Sequence, residues 1–281
     1  MLPTAVGRAE ALASAPTFSR LENSATASHA AAPYAVLSDQ FIASRLCAPD
    51  ELVLDIDATH VPLLYGQQEA AHFHAHYDNY CYLPLYVFCG QDMLACVLIK
   101  LISRRLRQAW PKARLVVRAD SGFCRPKVLR RLDAWGIGYI IGLQKNATLQ
   151  WYSAIGARAL ADQYEAHGTK QRLIGEFQYA TRNWDRERRV IARLEHGPQG
   201  PNPHFVVTSL SGEASELYER LYCARGEAEN RIKEAQLDLF GRRASCSRFA
   251  ANQIRPLLAT LADRDGDAHG RTACICLRIL A

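Results

Sequence analysis

The chain lacks an uninterrupted apolar run of the roughly 18 residues that a membrane-spanning helix needs, its longest candidates being broken by Asp92 and Lys100. No membrane partner is therefore expected. It also lacks a Cys-x-x-Cys pair and a secretory leader, and its nine cysteines, an odd number, are scattered from Cys47 to Cys276. That usage speaks against a disulfide framework and for a reducing, cytoplasmic setting, with most cysteines as plain core residues. P-loop, His-Glu-x-x-His and Gly-x-Ser-x-Gly signatures are missing as well, which argues against nucleotide hydrolysis, zinc proteolysis and serine-hydrolase chemistry. No internal repeat is found.

What remains is a chain of 281 residues, 49% hydrophobic, long enough for one large catalytic domain with an insertion or for two modest ones. The formal charge of +6 favours a polyanion partner only weakly, but the arginines are clumped, at Arg104-Arg105-x-Arg107, Arg186-Glu187-Arg188-Arg189 and Arg242-Arg243. Residues 1–50 are rich in Ala and Ser and show no sustained period before about Ala35 to Ser44, which predicts a loose arm ending in a short helix.

From Leu52 the pattern changes. Leu52, Leu54, Ile56 and Ala58 alternate with Val53, Asp55, Asp57 and Thr59, a strand with one apolar face and with Asp55 and Asp57 sharing the other. Tyr82 to Cys89 reads as a second strand with His72 to Tyr80 as a hairpin partner, and Val97 to Trp110 as a helix stopped by Pro111. Leu115 to Asp120 is a strand that delivers Asp120 to its C-terminal end, where α/β proteins build sites. Pro126 to Trp135 and Tyr139 to Leu143 complete a strand-helix-strand unit. A β-rich insertion comes next at about residues 145–200, with hairpin strands around Phe177 to Thr181 and Val190 to Leu194, and then a further strand from Phe205 to Leu210. Glu216 to about Phe240 is the strongest helix, on the stripe Leu217, Leu221, Ala224, Ala228, Ile232, Ala235 and Leu239. Tyr222, Arg225, Glu229, Lys233 and Gln236 fall beside that stripe, so Glu229 can face the strand-end aspartates. Residues 263–281 form an irregular tail.

Three carboxylates from two strands and a helix suit hard divalent cations and phosphodiester chemistry, because oxygen donors both ligate such ions and offset their charge. Taken singly, Asp57 and Asp120 read as ordinary turn caps, and Glu229 as an i,i+4 partner of Arg225 and Lys233. Asp55 competes with Asp57, and spacing alone does not choose between them. Trp184, flanked by Arg182, Arg186, Arg188 and Arg189, either stacks on a base while the arginines hold phosphates or folds back onto its own hairpin. His72, His74 and His76 alternate on one strand face, but no fourth ligand has suitable spacing, so surface or hydrogen-bonding roles are expected.

In combination, Leu54-Asp55-Ile56-Asp57-Ala58-Thr59, Gly66-Gln67-Gln68-Glu69, Tyr80-Cys81-Tyr82-Leu83-Pro84-Leu85-Tyr86, Asp120-Ser121-Gly122-Phe123-Cys124-Arg125 and the Tyr-x-x-Arg-x-x-x-Glu run at Tyr222, Arg225 and Glu229 resemble bacterial insertion-sequence transposases of the DDE type, the DDE group 1 transposase domain. The resemblance runs from about Leu52 to Leu261. It implies an α/β fold with an RNase H-like mixed sheet flanked by helices, and a catalytic domain over 51–262 with its β-rich insertion before the glutamate-bearing helix. It implies Asp57, Asp120 and Glu229 as ligands of two Mg²⁺ ions, with Mn²⁺ as a permissible substitute, and Tyr222, Arg225 and Lys233 in support. It further implies double-stranded DNA, as transposon terminal inverted repeats and target, and a homo-oligomer on that DNA near the nucleoid. Gln236 stands where many relatives carry Lys, the Phe88 to Leu115 connection is short, and the tail is unpatterned, as in a truncated copy. A DNA-binding remnant without catalysis, and a stand-alone RNase H-like nuclease, are the competing expectations.

Overall fold

The computed structural model describes residues 16–17, 20, 24, 27–58, 61–62, 72–74, 78–82, 85–90, 92–95, 99–226 and 230. Its elements in chain order are α1 (Ala27–Ala43), β1 (Glu51–Ala58), β2 (Val61–Pro62), β3 (His72–His74), β4 (Asn79–Tyr82), β5 (Leu85–Cys89), β6 (Asp92–Ala95), α2 (Ile99–Ala109), β7 (Arg114–Ala119), α3 (Pro126–Ala134), β8 (Gly138–Leu143), α4 (Ala147–Tyr152), α5 (Ala154–His167), β9 (Gln171–Tyr179), β10 (Arg188–Gly197), β11 (Gly200–Pro201) and β12 (His204–Thr208). A helical run comes after β12, with one α-helical turn Ala214–Glu216, a π-helical stretch Leu217–Tyr222 and a 3₁₀ turn Cys223–Arg225. Among the described residues no helix is long and apolar enough to cross a membrane.

The chain divides into two compact units, a larger one of Leu37–Thr59 and Leu85–Glu234 and a smaller one of Met1–Val36, His60–Pro84 and Ala235–Ala281. The smaller unit contains a three-stranded antiparallel sheet in the order β2-β4-β3, with Phe73 edge-on to Tyr80 at 5.6 Å. Tyr82 to Cys89 is thus two strands rather than one, and the hairpin partner of β3 is β4.

The larger unit carries a nine-stranded mixed sheet in the order β11-β10-β12-β8-β7-β1-β5-β6, with β9 on the other edge of β10. Strands β1, β7 and β8 are parallel neighbours, and the remaining pairs are antiparallel. This is the RNase H-like mixed sheet flanked by helices that the resemblance implies. Strand β7 is central and covered on both faces, which is why Leu115, Val116 and Val117 form a continuous apolar run and not an alternation. Proline at the first position of α3 supplies a preset φ where no N–H is required. Gly136 stops that helix at φ 61, a left-handed conformation that glycine adopts without a Cβ penalty.

The Phe88 to Leu115 connection is fuller than its length suggests. It holds β6, which pairs with β5 across a register shift at Val87/Phe88, and the amphipathic α2, which buries Ile102, Ser103 and Leu106. The N-terminal helix is also longer than expected, beginning at Ala27, and its Leu37 and Phe41 are fully buried, with Phe41 edge-on to Trp110 at 5.9 Å.

The β-rich insertion expected at 145–200 holds helices as well as strands. It opens with two helices, α4, capped by the Asn146 side chain accepting from Leu149 N–H at 2.9 Å, and α5. Helix α5 buries only Leu160, so it leaves no apolar stripe for the sequence to display. Strands β9 to β12 then continue the central sheet, because β12 pairs with β8 in register Phe205 to Leu143.

Candidate active site

In parallel pairing, β1 and β7 match Ile56 with Ala119 as their last partners. Asp57 and Asp120 directly follow that last pair, Asp57 within β1 and Asp120 one residue past β7, so both lie at the C-terminal ends of adjoining strands, which run about 4.8 Å apart. Each carboxylate also accepts a local backbone hydrogen bond. One Asp57 oxygen accepts from Ala58 N–H at 2.8 Å, and Asp120 accepts from Gly122 N–H at 2.9 Å to cap the 3₁₀ turn Ser121–Phe123. For Asp120 the turn-cap role and the strand-end placement therefore coexist.

Asp55 is different. It is 2% exposed and takes a forked ion pair from Arg118, which lies opposite it on β7; Nε donates to one oxygen and Nη2 to the other at 2.7 Å. The remaining Nη1 of Arg118 donates to the backbone carbonyl of Leu221. This buried pair thus fastens the helical run to the strand that leads to Asp120. Sequence spacing left Asp55 and Asp57 as equals, whereas their surroundings are unlike: Asp55 has both oxygens on a buried guanidinium, and Asp57 is 18% exposed beside Arg225.

The helical run brings Tyr222 and Arg225 to the same end of the sheet. Its π-helical hydrogen bond, from Cys223 N–H to Tyr218 carbonyl, inserts a residue into the turn and shifts the phase of the residues after it. Arg225 Nη1 lies 3.6 Å from Asp57 Oδ2, and its positive charge bears on the Tyr222 hydroxyl. Burial pushes the Tyr222 phenol up, with Arg225 opposing that shift and the Asp120 charge adding to it. Tyr218 and His204 brace the ring: Tyr218 hydroxyl and His204 Nδ1 are 2.9 Å apart, and the His204 and Tyr222 ring centres 5.5 Å. Burial holds His204 below its usual value, helped by the cations Arg193, Arg225 and Lys145.

Tyr222 can reach this position only because residue 142 has no side chain. A Cβ there would meet the Tyr222 hydroxyl and Ser121 N, each at 2.8 Å. Gly142→Ala is expected to cost about 1–3 kcal/mol, the range for overpacking a filled site, read by urea denaturation. Unchanged stability would mean that the Tyr222 ring is not seated against β8.

Glu229 and Lys233 lie outside the described residues, so the third carboxylate and its neighbour receive no structural placement. Among the described residues no cluster of three His, Cys, Asp or Glu is found. The two strand-end carboxylates nonetheless fit a hard divalent cation by donor chemistry, being oxygen ligands and partly exposed.

On the 182–189 hairpin, where DNA contact is expected, the arginines are in unlike surroundings. Arg188 is 3% exposed and donates to Asp133 at 2.6 Å, to Asp185 at 2.9 Å and to the Tyr139 hydroxyl. Arg189 is held by Glu176 and by the carbonyls of Leu210 and Gly212. Trp184 folds back, edge-on to Tyr179 at 5.7 Å, with Arg188 over its ring. Arg182 and Arg186 stay exposed, and Arg186 pairs with Asp133 at 2.9 Å. Sequence reasoning missed Arg118, Gly142 and His204, whose partners lie on other elements and leave no local pattern; a buried-position arginine such as Arg118 inside Leu-Val-Val-Arg-Ala was the one available signal.

None of the curated proteins matches the chain. Among solved structures, the piggyBac transposase in a synaptic complex with hairpin DNA is similar at 11% identity and a TM-score of 0.40, over 86% of this chain and 54% of that one, so the chain spans about half that protein's length. The family model for the transposase DDE domain group 1 matches residues 1–264, beginning well before the resemblance read from the motifs at Leu52. With that match spanning the sheet, both strand-end aspartates and the Tyr222 helix, the chain belongs to the transposase DDE domain group 1 family.

Proposed function

We propose that this chain is a divalent-metal-dependent DNA transposase that cuts and joins strands at the ends of an insertion sequence. The observation that carries the reading is the placement of Asp57 and Asp120 directly after the last paired residues of two adjoining strands, with Arg225 brought beside Asp57 by a third element. Family membership supports the same class of chemistry. Asp57 and Asp120, with Glu229 from the next stretch of chain, would hold Mg²⁺. Bound there, the cations supply an activated oxygen nucleophile and charge stabilisation at the scissile phosphate.

The protein's own part is positioning. In cleavage, water attacks phosphorus and the P–O3′ bond breaks, leaving a 3′-hydroxyl and a 5′-phosphate. In joining, that hydroxyl attacks a target phosphodiester, so one bond is exchanged for another and no external energy source is needed. Arg225 offsets the carboxylate charge that would otherwise repel the DNA backbone. Terminal inverted repeats and target duplex are the proposed substrates, met by copies of the chain assembled on the DNA.

The test is a cleavage and joining assay on duplexes carrying the element's own flanking ends. Nicked and joined products that appear with Mg²⁺ or Mn²⁺ and vanish with EDTA are expected. A folded chain that binds those ends and never nicks them would refute the enzyme reading and leave a DNA-binding remnant.

A further inference from the structure

The hairpin expected to hold DNA keeps its Arg188 and Arg189 for itself, yet another set of cations is not so engaged. Lys100, Arg104 and Arg107 recur at i, i+4 and i+7 on α2, and with Ser103, Gln108 and Trp135 they line a cleft of about 370 Å³. Among the described residues no carboxylate lines it. The neighbouring arginines are neutralised, Arg105 by a forked pair to Asp39 at 2.7 Å and Arg114 by Glu51. Among the described residues Lys100 and Arg104 have no such ion pair, and Arg107 donates to the Gly136 carbonyl at 2.9 Å, which steadies its side chain against the Trp135 wall.

Like charges at i,i+4 destabilise a helix by a few tenths of a kcal/mol per pair. Three of them along one stripe are a cost that an anionic partner would remove. From Lys100 to Arg107 the stripe covers about 10 Å of helix axis, against one phosphate per ~3.4 Å of duplex axis on each strand. The stripe is therefore matched to two or three successive phosphates. The Arg107 end of the cleft lies where α2 leads into β7 and Trp135 into β8, at the N-terminal ends of those strands. Asp57 and Asp120 lie at the opposite ends, so this cleft is no part of the cutting site.

We propose that the α2 cleft is a second DNA contact, which grips the sugar-phosphate backbone of duplex away from the scissile bond and reads no sequence. It rests on the transposase reading above. The experiment measures affinity of the full chain for a labelled duplex across a series of KCl concentrations. Lys100→Ala combined with Arg104→Ala is expected to reduce the slope of log affinity against log salt by up to about two, roughly one per lost phosphate contact. The exposed pair Lys112→Ala with Arg158→Ala should leave the slope unchanged. The single variant Arg104→Gln, which relieves repulsion along the stripe, should melt no lower than the parent and still show a shallower slope. A wild-type slope in both cleft variants, or an equal loss in the Lys112 and Arg158 pair, overturns the cleft. If the parent chain itself binds duplex with no salt dependence, the DNA reading fails and not merely this contact.

Discussion

Asp57→Asn and Asp120→Asn are each expected to reduce Mg²⁺-dependent strand cleavage about a thousandfold or more, while DNA affinity stays within a few-fold of the parent. Each change keeps the shape of the side chain and removes one anionic donor. Metal-assisted charge stabilisation supplies several kcal/mol, and about 1.4 kcal/mol corresponds to a factor of ten in rate. Neither carboxylate contacts a phosphate directly in the proposed arrangement, so binding and cutting should separate cleanly. Glu229→Gln belongs to the same class by its motif position. Asn in place of either aspartate can still accept from Ala58 or Gly122 N–H, so those local contacts persist and the effect is on chemistry, not folding. Rapid nicking by Asp57→Asn in Mg²⁺ would remove Asp57 from the site.

The second large effect is expected at Asp55 and Arg118, and it is on stability. Asp55→Asn or Arg118→Met breaks a buried pair by removing one partner, a change that costs about 3–5 kcal/mol because the other charge stays buried and uncompensated. Denaturant unfolding should read that loss, along with reduced cleavage. Replacing both, as Asp55→Val with Arg118→Met, removes the stranded charge and should recover most of the stability. Cleavage should not recover with it, because the Leu221 carbonyl loses the Arg118 donor and Tyr222 and Arg225 lose their anchor. A double variant restored in both stability and cutting would show that the anchor has no part in placing the helix. Here Asp55 acts through structure, which differs from the metal role that its sequence position shares with Asp57.

Strand-end aspartates were legible because a β-strand writes its period locally: Leu52, Leu54 and Ile56 mark one face of β1, and the residues between them mark the other. The βαβ unit from β7 to β8 was legible for the same reason, through Pro126, Gly136 and an apolar run long enough to be central. The failures have a common form. Arg188 looked like a surface cation because Asp133 and Tyr139, which enclose it, are separated from it by about fifty residues of chain. Helix α5 was invisible because the sheet edge it covers asks for only one buried residue, Leu160.

The sequence by itself determined which carboxylates reach the ends of strands, which segments have a helical or extended period, and which reaction class their combination suits. Those are properties of neighbours along the chain, where backbone geometry sets the spacing. Only the tertiary structure decided which charges are available. Asp55 and Asp57 have the same local pattern, and they differ because Arg118 stands across from one and Arg225 beside the other. Arg188 and Arg104 are both arginines in basic clusters, and they differ because one is enclosed by carboxylates and the other faces an open cleft. Coulombic partners are chosen by distance in space, and pairing strands far apart in sequence is what sets those distances.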